Sequence, residues 1–405
     1  MNISPVRVHY YAYNLLYLPL VGLIAGIYFC NLLRSEHVPW FIICIALLSI
    51  CGLLLYYEMV KKQPYLLQGT IGMTMFLLGA ALFYRQHNQH IIKRDLFASK
   101  TWNITGCIIE KNTTNATIFP VKLRIRLEKI QDKETTLWFT QGIDVLCYCT
   151  HTKTEVSDKI YIRNVHFTKN TDNISGKNTS FDDYLCKEGF ASTAFLSKCY
   201  IKKISSPFFS LNRWISNFRD HVFNSIAKKL SPRTQTLFDV IFLGIKDRSR
   251  MGDIQKKSAF WGISHFLARS GVHLIFVIFV WGFFLKLVPL PFSLKQIIMI
   301  FLCFTYAIVT FPSVSFTRAL IVFIALKIAQ LLNKQSSFLH LLSLTCIVLL
   351  CINPMQLFFL DFQLSFGLTF ALAWYADQKR TLPSNVNNPF IPSSPRTSYD
   401  VANKL

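Results

Sequence analysis

Long apolar segments recur along most of the chain and are separated by short polar connections. A helix of roughly 20 apolar residues crosses the hydrocarbon core of a bilayer, and shorter segments are tolerated where neighbouring protein covers the backbone. About eight such segments occur, at residues 13–33, 40–57, 69–84, 258–288, 296–311, 318–332, 338–352 and 358–375. This pattern predicts a polytopic α-helical membrane protein with about eight membrane segments.

The pattern changes between residues 100 and 204, where apolar and polar residues alternate over short stretches. Turn-rich sequences separate the stretches 103–110, 121–130, 137–149 and 159–167, which is typical of an inserted all-β domain. In the second of these, Lys122, Arg124 and Arg126 occupy alternate positions and would share one face of a strand. That face is either a basic surface that binds a polyanion or an ordinary solvated strand face.

The remaining regions are defined by helical periodicity and by composition. Apolar residues recur at helical spacing within residues 208–230, with basic residues between them, and this predicts amphipathic helices at the membrane interface. From residue 381 the chain is rich in Pro, Ser and Asn, which favours disorder. The predicted regions are membrane helices in 1–85, a β domain in 100–204, interfacial helices in 208–257, a second membrane domain in 258–378 and a disordered tail in 381–405.

The charge distribution predicts both an orientation and a class of partner. The formal net charge is +22, which favours association with anionic lipid or with nucleic acid, although flanking Lys and Arg residues that set topology account for part of it. Lys286 and Lys295 fall at ends of segments that the positive-inside rule places in the cytoplasm. The same rule places the β domain on the opposite side of the membrane.

Several ionisable or polar residues lie within the apolar segments. His265, Arg269 and His273 follow each other at intervals of four residues, so a continuous helix would align them on one face. They lie either on a solvated helix end or on the wall of a polar pathway. The residues predicted to line such a pathway are His265, Arg269, Ser270, Gly271, His273, Arg318, Lys327, Asp361, Gln363 and Ser365.

A carboxylate at membrane depth needs a partner. We therefore expect Asp361 to pair with Arg318 or with Arg269. The alternative is that Arg318 extends to the interface and that Asp361 lies in a loop. A disulfide between Cys186 and Cys199 would form if the β domain lies in an oxidising compartment.

Other chemistry is not indicated by the sequence. The cysteine spacings do not match a zinc site, and neither a G-x-x-x-x-G-K-[ST] phosphate loop nor an H-x-H-x-D-H zinc motif occurs. We therefore predict no metal, no cofactor and no enzymatic activity.

Four motifs resemble those of one known family. The sequence GISHFLARSGVH at residues 262–273 resembles the G-x-S-H-L-L-A-I-S-G-L-H signature of the ComEC family of competence proteins, with Arg269 at a position that is usually apolar. The other three are FDDYLCKEG at 181–189, PSVSFTRA at 312–319 and FQLSF at 362–366. A shorter segment, Leu243-Gly244 with Asp247-Arg248-Ser249, also resembles the L-G-x-R-S segment that precedes the signature in the family. They occur in the order found in the family.

The resemblance implies a fold, a location and a function. It implies an OB-like periplasmic β domain, with Lys122, Arg124 and Arg126 as DNA-binding residues, in a multi-pass protein of the bacterial inner membrane. The implied function is a channel for uptake of single-stranded DNA during natural transformation. The implied partners are single-stranded DNA, membrane lipid, a cytoplasmic helicase-like motor, a periplasmic DNA receptor, a separate nuclease and further copies of the chain in a homo-oligomer.

Longer family members carry a metallo-β-lactamase-like domain, so we expect a short form without nuclease activity. Two alternatives to the DNA channel remain at this point. One is a transporter of a small anionic solute, and the other is a non-transporting envelope binding protein.

Overall fold

The computed structural model describes residues 5–33, 64–97, 101–113, 119–132, 138–150, 154–168, 181–196, 201–238, 256–258, 260–262, 271–310, 314–333 and 337–381. The predicted membrane segment at 40–57, residues 263–270 and the predicted tail after residue 381 lie outside this part of the chain.

The helices and strands follow the apolar pattern closely. The described helices are α1 (Pro5–Leu32), α2 (Pro64–Phe97), α3 (Phe181–Glu188), α4 (Leu211–Ala227), α5 (Pro232–Phe238), α6 (Gly271–Leu287), α7 (Phe292–Val309), α8 (Val314–Leu331), α9 (Phe338–Ile352) and α10 (Leu360–Thr381), with a 3-10 turn at Pro354–Phe358. The described strands are β1 (Thr101–Thr113), β2 (Val121–Asp132), β3 (Trp138–Cys149), β4 (Lys159–Thr168), β5 (Thr193–Leu196) and β6 (Ile201–Ser205).

One described helix, α7, is long and apolar enough to cross a membrane, with a mean hydropathy of 1.9. Shorter apolar helices lie at Tyr17–Leu32, Gly271–Leu287 and Phe338–Ile352. Large apolar side chains on α6 and α7 are exposed, including Phe279 at 72% and Phe301 at 66%. Exposure on this scale calls for an apolar surrounding, so the arrangement of about eight membrane segments stays a prediction that these surfaces favour.

Helices α1 and α2 pack with their backbones in contact. An added Cβ on Gly22 would overlap the carbonyl oxygen of Gly72, and one on Gly26 would overlap that of Phe76. Small residues permit such approach between helices, and the pair is therefore fixed by its glycines.

The β domain is built on a closed ring of strands. The order is β1-β2-β3-β5-β4, and a further pairing of β1 with β4 closes the ring, while β6 is added beside β4. Strands β3 and β5 run parallel, and the other pairs are antiparallel. On β2, the side chains of Leu123, Ile125 and Leu127 are completely buried, so the predicted alternation is confirmed and the basic residues lie on the outer face.

The β domain and helices α3 and α4 meet one end of the helical bundle. The contacts are made by Gln86 in the C-terminal half of α2, Val309 at the end of α7 and Asn353 after α9. Asp361 at the start of α10 makes the fourth contact. Since α7 runs in the opposite direction to α6, Lys286 near the end of α6 and Lys295 near the start of α7 lie towards the other end of the bundle.

Candidate functional site

Arg318 in the second turn of α8 is the centre of the described polar group within the helices. Its guanidinium donates to the hydroxyl of Thr369 on α10 and lies 5.5 Å from the ring centroid of Phe366. The Thr369 hydroxyl in turn donates to the carbonyl oxygen of Ser365, at 2.7 Å. A neutral hydroxyl and an aromatic face orient the cation without cancelling its charge.

Gly271, the first residue of α6, brings a second motif to the same place. An added Cβ on Gly271 would lie 3.0 Å from the Cβ of Ala319, the neighbour of Arg318. Gly271 therefore packs closely against α8. Segments from three motifs, around Gly271, Arg318 and Phe366, therefore meet.

The remaining residues of the signature are partly described. His265, Arg269 and Ser270 lie outside the described residues, and His273 lies in the first turn of α6. Gly262 has a φ of 68°, a conformation that favours glycine. The alignment of His265, Arg269 and His273 on one helical face stays a prediction.

The polar residues at the start of α10 are placed by local contacts. Gln363 donates to the carbonyl oxygen of Leu357 at 2.9 Å and is exposed. The hydroxyl of Ser365 is buried and has no hydrogen-bond partner in the described part of the chain. Ser365 lies one turn before Thr369, so Ser365 is closer than Gln363 to the Arg318 guanidinium.

Lys327 does not join Arg318, contrary to the expectation of a shared wall. The two residues are nine positions apart on α8, which is two and a half turns and places them on opposite sides of the helix. The Lys327 ammonium lies 3.2 Å from Oε1 of Gln330 and 5.3 Å from the ring centroid of Phe323. A pathway that passes Arg318 would therefore leave Lys327 on the far side of α8.

The predicted ion pair between Asp361 and Arg318 is wrong. Asp361 Oδ2 lies 3.3 Å from Nζ of Lys187 on α3. Arg318 instead binds Thr369, eight residues and about 12 Å further along α10. Asp361 lies at the start of α10, at the edge of the bundle that α3 contacts, and half of its side chain is exposed. Solvent and the largely buried Lys187 together satisfy its charge. The alternative partner, Arg269, lies outside the described residues.

Helix α3 joins the β domain to the helical bundle through Asp182. Its carboxylate lies 3.0 Å from Nε2 of His90 and 3.0 Å from Nη1 of Arg94, both on α2. Burial alone would raise the pKa of Asp182, but the hydrogen bonds and charges of His90 and Arg94 outweigh burial and hold the pKa below its usual value. Neither His90 nor Arg94 stands out in the sequence.

Hydrogen bonds to the backbone of α3 reinforce this junction. The Gln86 amide donates to the carbonyl oxygen of Cys186 at 3.1 Å and to Oδ1 of Asn353 at 3.0 Å. Asn353 donates to the carbonyl oxygen of Lys187 at 2.7 Å. Cys186 is buried against the helical core, and Cys199 lies outside the described residues, so a disulfide between them stays a prediction.

The three predicted basic residues on β2 differ in their surroundings. Arg124 and Arg126 both donate to the carboxylate of Asp144 on β3, at distances from 2.8 to 3.2 Å. Burial would raise the pKa of Asp144, but the two guanidinium groups outweigh it and lower the pKa. The two arginines and Asp144 thus carry one net positive charge, and Lys122 adds a second.

Aromatic side chains that were missed in the sequence lie next to these cations; Phe195 is exposed, and Tyr148 and Phe119 are half-buried. The Tyr148 ring on β3 stacks on Phe195 of β5, with centroids 5.3 Å apart, and Phe119 lies 5.2 Å from Phe195. Tyr148 is directly opposite Lys122 in the strand pairing. The aromatic row, defined as Phe119, Tyr148 and Phe195, resembles the stacking platforms that bind single-stranded nucleic acid. Among the described residues, no group of His, Cys, Asp and Glu could hold a metal ion.

Comparison with known proteins identifies part of the chain. Residues 247–394 match the family model described as Competence protein. No curated protein and no solved structure matches the chain. The matched region contains Gly271, Arg318 and Phe366, and the β domain lies outside it. The match supports the resemblance to a competence protein family over this region.

Proposed function

We propose that this protein is an inner-membrane channel subunit that takes up single-stranded DNA during natural transformation. The observation that carries the proposal is the meeting of three motif segments at Arg318, within the region that matches the competence family model. A guanidinium held by a hydroxyl and a ring keeps its positive charge available to phosphate oxygens. A polyanion that moves past such a group is attracted without being trapped.

The membrane arrangement in this proposal has the β domain on the periplasmic side. The described contacts place the β domain at one end of the bundle, and Lys286 and Lys295 lie towards the other end. The positive-inside rule assigns those lysines to the cytoplasm. Exposed Trp214 and Phe218 on α4 lie beside the end of α7, where aromatic residues favour the lipid interface.

The β domain in this proposal is an OB-like module that guides the strand. The five-stranded closure supports this assignment, since OB folds are five-stranded barrels that bind oligonucleotides on the outer face. Stacking on the aromatic row and attraction to Lys122 would tolerate any base sequence, as an uptake system requires. Energy would come from a helicase-like motor on the cytoplasmic side, and a DNA receptor and a nuclease would be separate proteins.

An uptake assay tests the role of Arg318. In a transformable host whose own channel gene is deleted, cells producing the Arg318→Ala variant should accumulate about tenfold less nuclease-protected labelled DNA. The matched control is Lys327→Ala on the opposite side of α8, which should take up DNA normally at the same amount of membrane protein. Equal DNA uptake by the two variants would show that Arg318 has no specific part in uptake and would contradict the proposed function.

The same assay separates the two other functions. A transporter of a small anionic solute would be inhibited by mononucleotides and would be indifferent to DNA length. A non-transporting binding protein would hold DNA at the cell surface, where added nuclease destroys it.

A further inference from the structure

Two cavities on the outside of the β domain share Glu110. The first, of 130 Å³, lies between β2 and α3 and is lined by Lys122, Arg124, Tyr184 and Phe190 among others. The second, of 250 Å³, lies between β1 and α4 and is lined by residues that include Lys111, Asn212, Ser216 and Arg219. Because Glu110 lines both, the two cavities are neighbours along β1, and we call them together the β1 groove.

The two ends of the β1 groove lead to different surfaces. At one end Lys122 lies opposite Tyr148, a member of the aromatic row. At the other end Arg219 donates to the carbonyl oxygens of Val309 and Ile308, at 3.0 and 2.8 Å. These carbonyls end α7, the described helix that is long and apolar enough to cross a membrane. The groove therefore connects an exposed stacking surface with the end of a membrane helix.

The position of α4 along the groove is fixed by a buried carboxylate. Asp158 is fully buried, and its side chain accepts hydrogen bonds from Lys203, Ser206, Arg213 and the backbone amide of Glu155. Arg213 belongs to the first turn of α4 and also donates to the carbonyl oxygen of Val156 at 3.0 Å. Since α4 is attached to the barrel here and to α7 through Arg219, the wall of the groove is held at both ends.

We propose that the β1 groove is the path along which single-stranded DNA passes from the aromatic row to the membrane helices. This inference rests on the proposed function and adds the route. Four cations line the groove, Lys111, Lys122, Arg124 and Arg219. Several cations distributed over the two cavities suit the phosphates of an extended strand rather than one compact anion.

The carboxylates of the β1 groove would weaken the binding of DNA along this path. Glu110 and Glu188 lie among the cations, and Glu110 accepts a hydrogen bond from Asn112 at 2.8 Å. Negative charge beside the cations weakens the hold on each phosphate. Passage requires such weakening, because a strand that binds too tightly does not move on.

Photo-crosslinking on the full chain tests the route. The chain is placed in lipid nanodiscs, a photoreactive amino acid replaces Phe195, Asn212 or Ser216 in separate samples, and a long single-stranded oligonucleotide is added. Crosslinks are expected at all three positions. The control position is His166, which is exposed on β4 and lines neither cavity; it should give only background.

The outcomes separate the route from the function. Crosslinks at Phe195 with background at Asn212 and Ser216 would overturn the groove as the path while leaving DNA binding intact. Background at every position, together with no oligonucleotide binding, would overturn the proposed function as well.

A variant that removes a negative charge from the β1 groove tests the route independently. Glu110→Gln should bind the oligonucleotide several-fold more tightly and take up DNA more slowly in cells. Glu128→Gln is the matched control, since Glu128 pairs with Lys159 outside both cavities. If both variants bind DNA alike, Glu110 does not face the strand and the groove is not its path.

Discussion

His90 Nε2 lies 3.0 Å from Asp182 Oδ1, and both side chains are buried. The two residues are 92 positions apart in sequence, one at the end of a long helix and the other in the first turn of α3. Arg94, one turn after His90, holds the second oxygen of the carboxylate. This carboxylate is therefore one of the contacts that set the orientation of the β domain on the helical bundle.

Replacing that carboxylate should loosen the junction. Asp182→Asn leaves Arg94 without its buried partner, and loss of one member of a buried ion pair costs about 3 kcal/mol. The measurement is the free energy of unfolding of the detergent-solubilised chain. The control is Asp95→Asn, which removes an exposed carboxylate from the same Arg94 and should cost about 0.5 kcal/mol or less. Similar losses for both variants would show that Asp182 does not hold the junction.

The contribution of Asp182 should depend on pH in a defined direction. Its pKa is lowered in the folded chain, so its stabilising effect is complete above the pKa of the unfolded state, about 3.9. The effect is lost as the pH falls through the lower folded-state pKa. The stability difference between the native chain and Asp182→Asn should thus be constant near neutral pH and shrink below about pH 4. A difference that grows on acidification would contradict this linkage.

Removing one or the other partner of the second ion pair of α3 should lower the free energy of unfolding by different amounts. The Lys187 side chain is 10% exposed, lies 4.3 Å from the ring centroid of Phe359 and pairs with Asp361, which is 50% exposed. Asp361→Asn should therefore cost less than about 1 kcal/mol. Lys187→Ala also removes the buried aliphatic stem and the ring contact, and its cost should be larger. Unfolding measurements on the two variants decide the order, and a larger loss for Asp361→Asn would reverse the interpretation.

Local patterns predicted the elements well, because they depend on neighbours in sequence. Leu123, Ile125 and Leu127 alternate with basic residues, and the strand forms with the predicted face inward. Gly189, in the motif at the end of α3, has a φ of 76°, and the Phe190 amide donates back to the carbonyl oxygen of Leu185, so Gly189 ends the helix.

Long-range pairings could not be predicted in the same way. Asp361 binds Lys187, 174 residues away, and nothing in the local sequence distinguishes this lysine from other cations. Arg124 and Arg126 form a basic pattern on β2, but Asp144 on the next strand accepts both guanidinium groups. Tyr148 and Phe195 come together only because β3 and β5 are neighbours in the closed sheet.

The glycine contacts between α1 and α2 give a prediction for the stability of this helix pair. Gly26→Ala forces a methyl group against the backbone of Phe76, and the resulting separation of the helices should cost about 2 kcal/mol. Gly69→Ala is the matched control, since an added Cβ there meets nothing within 4 Å; it should be neutral or stabilise the helix by about 0.5 kcal/mol. Thermal melting of the two variants in detergent measures the difference, and equal melting temperatures would contradict the close packing.

Each ring of the aromatic row that a base can reach should add to the affinity for single-stranded DNA. Phe195 is 48% exposed and stacks on Tyr148, so part of its ring is accessible to a base. Loss of one stacking partner costs about 1–3 kcal/mol per base, which is roughly a fivefold to 150-fold loss of affinity for Phe195→Ala. Binding of a fluorescent single-stranded oligonucleotide to the full chain in nanodiscs measures this loss.

The control for that measurement is Phe279→Ala, which removes an exposed ring of α6 far from the β domain in sequence. Its affinity for the oligonucleotide should be unchanged. The contributions of ring and charge to DNA affinity should also differ in their dependence on salt. Phe195→Ala should lower affinity equally at all salt concentrations, because stacking releases no counterions. Lys122→Ala should instead make the salt dependence of the affinity less steep. If Phe195→Ala changes the salt dependence and leaves the affinity at high salt intact, the row is not a stacking surface and the β domain holds DNA by charge alone.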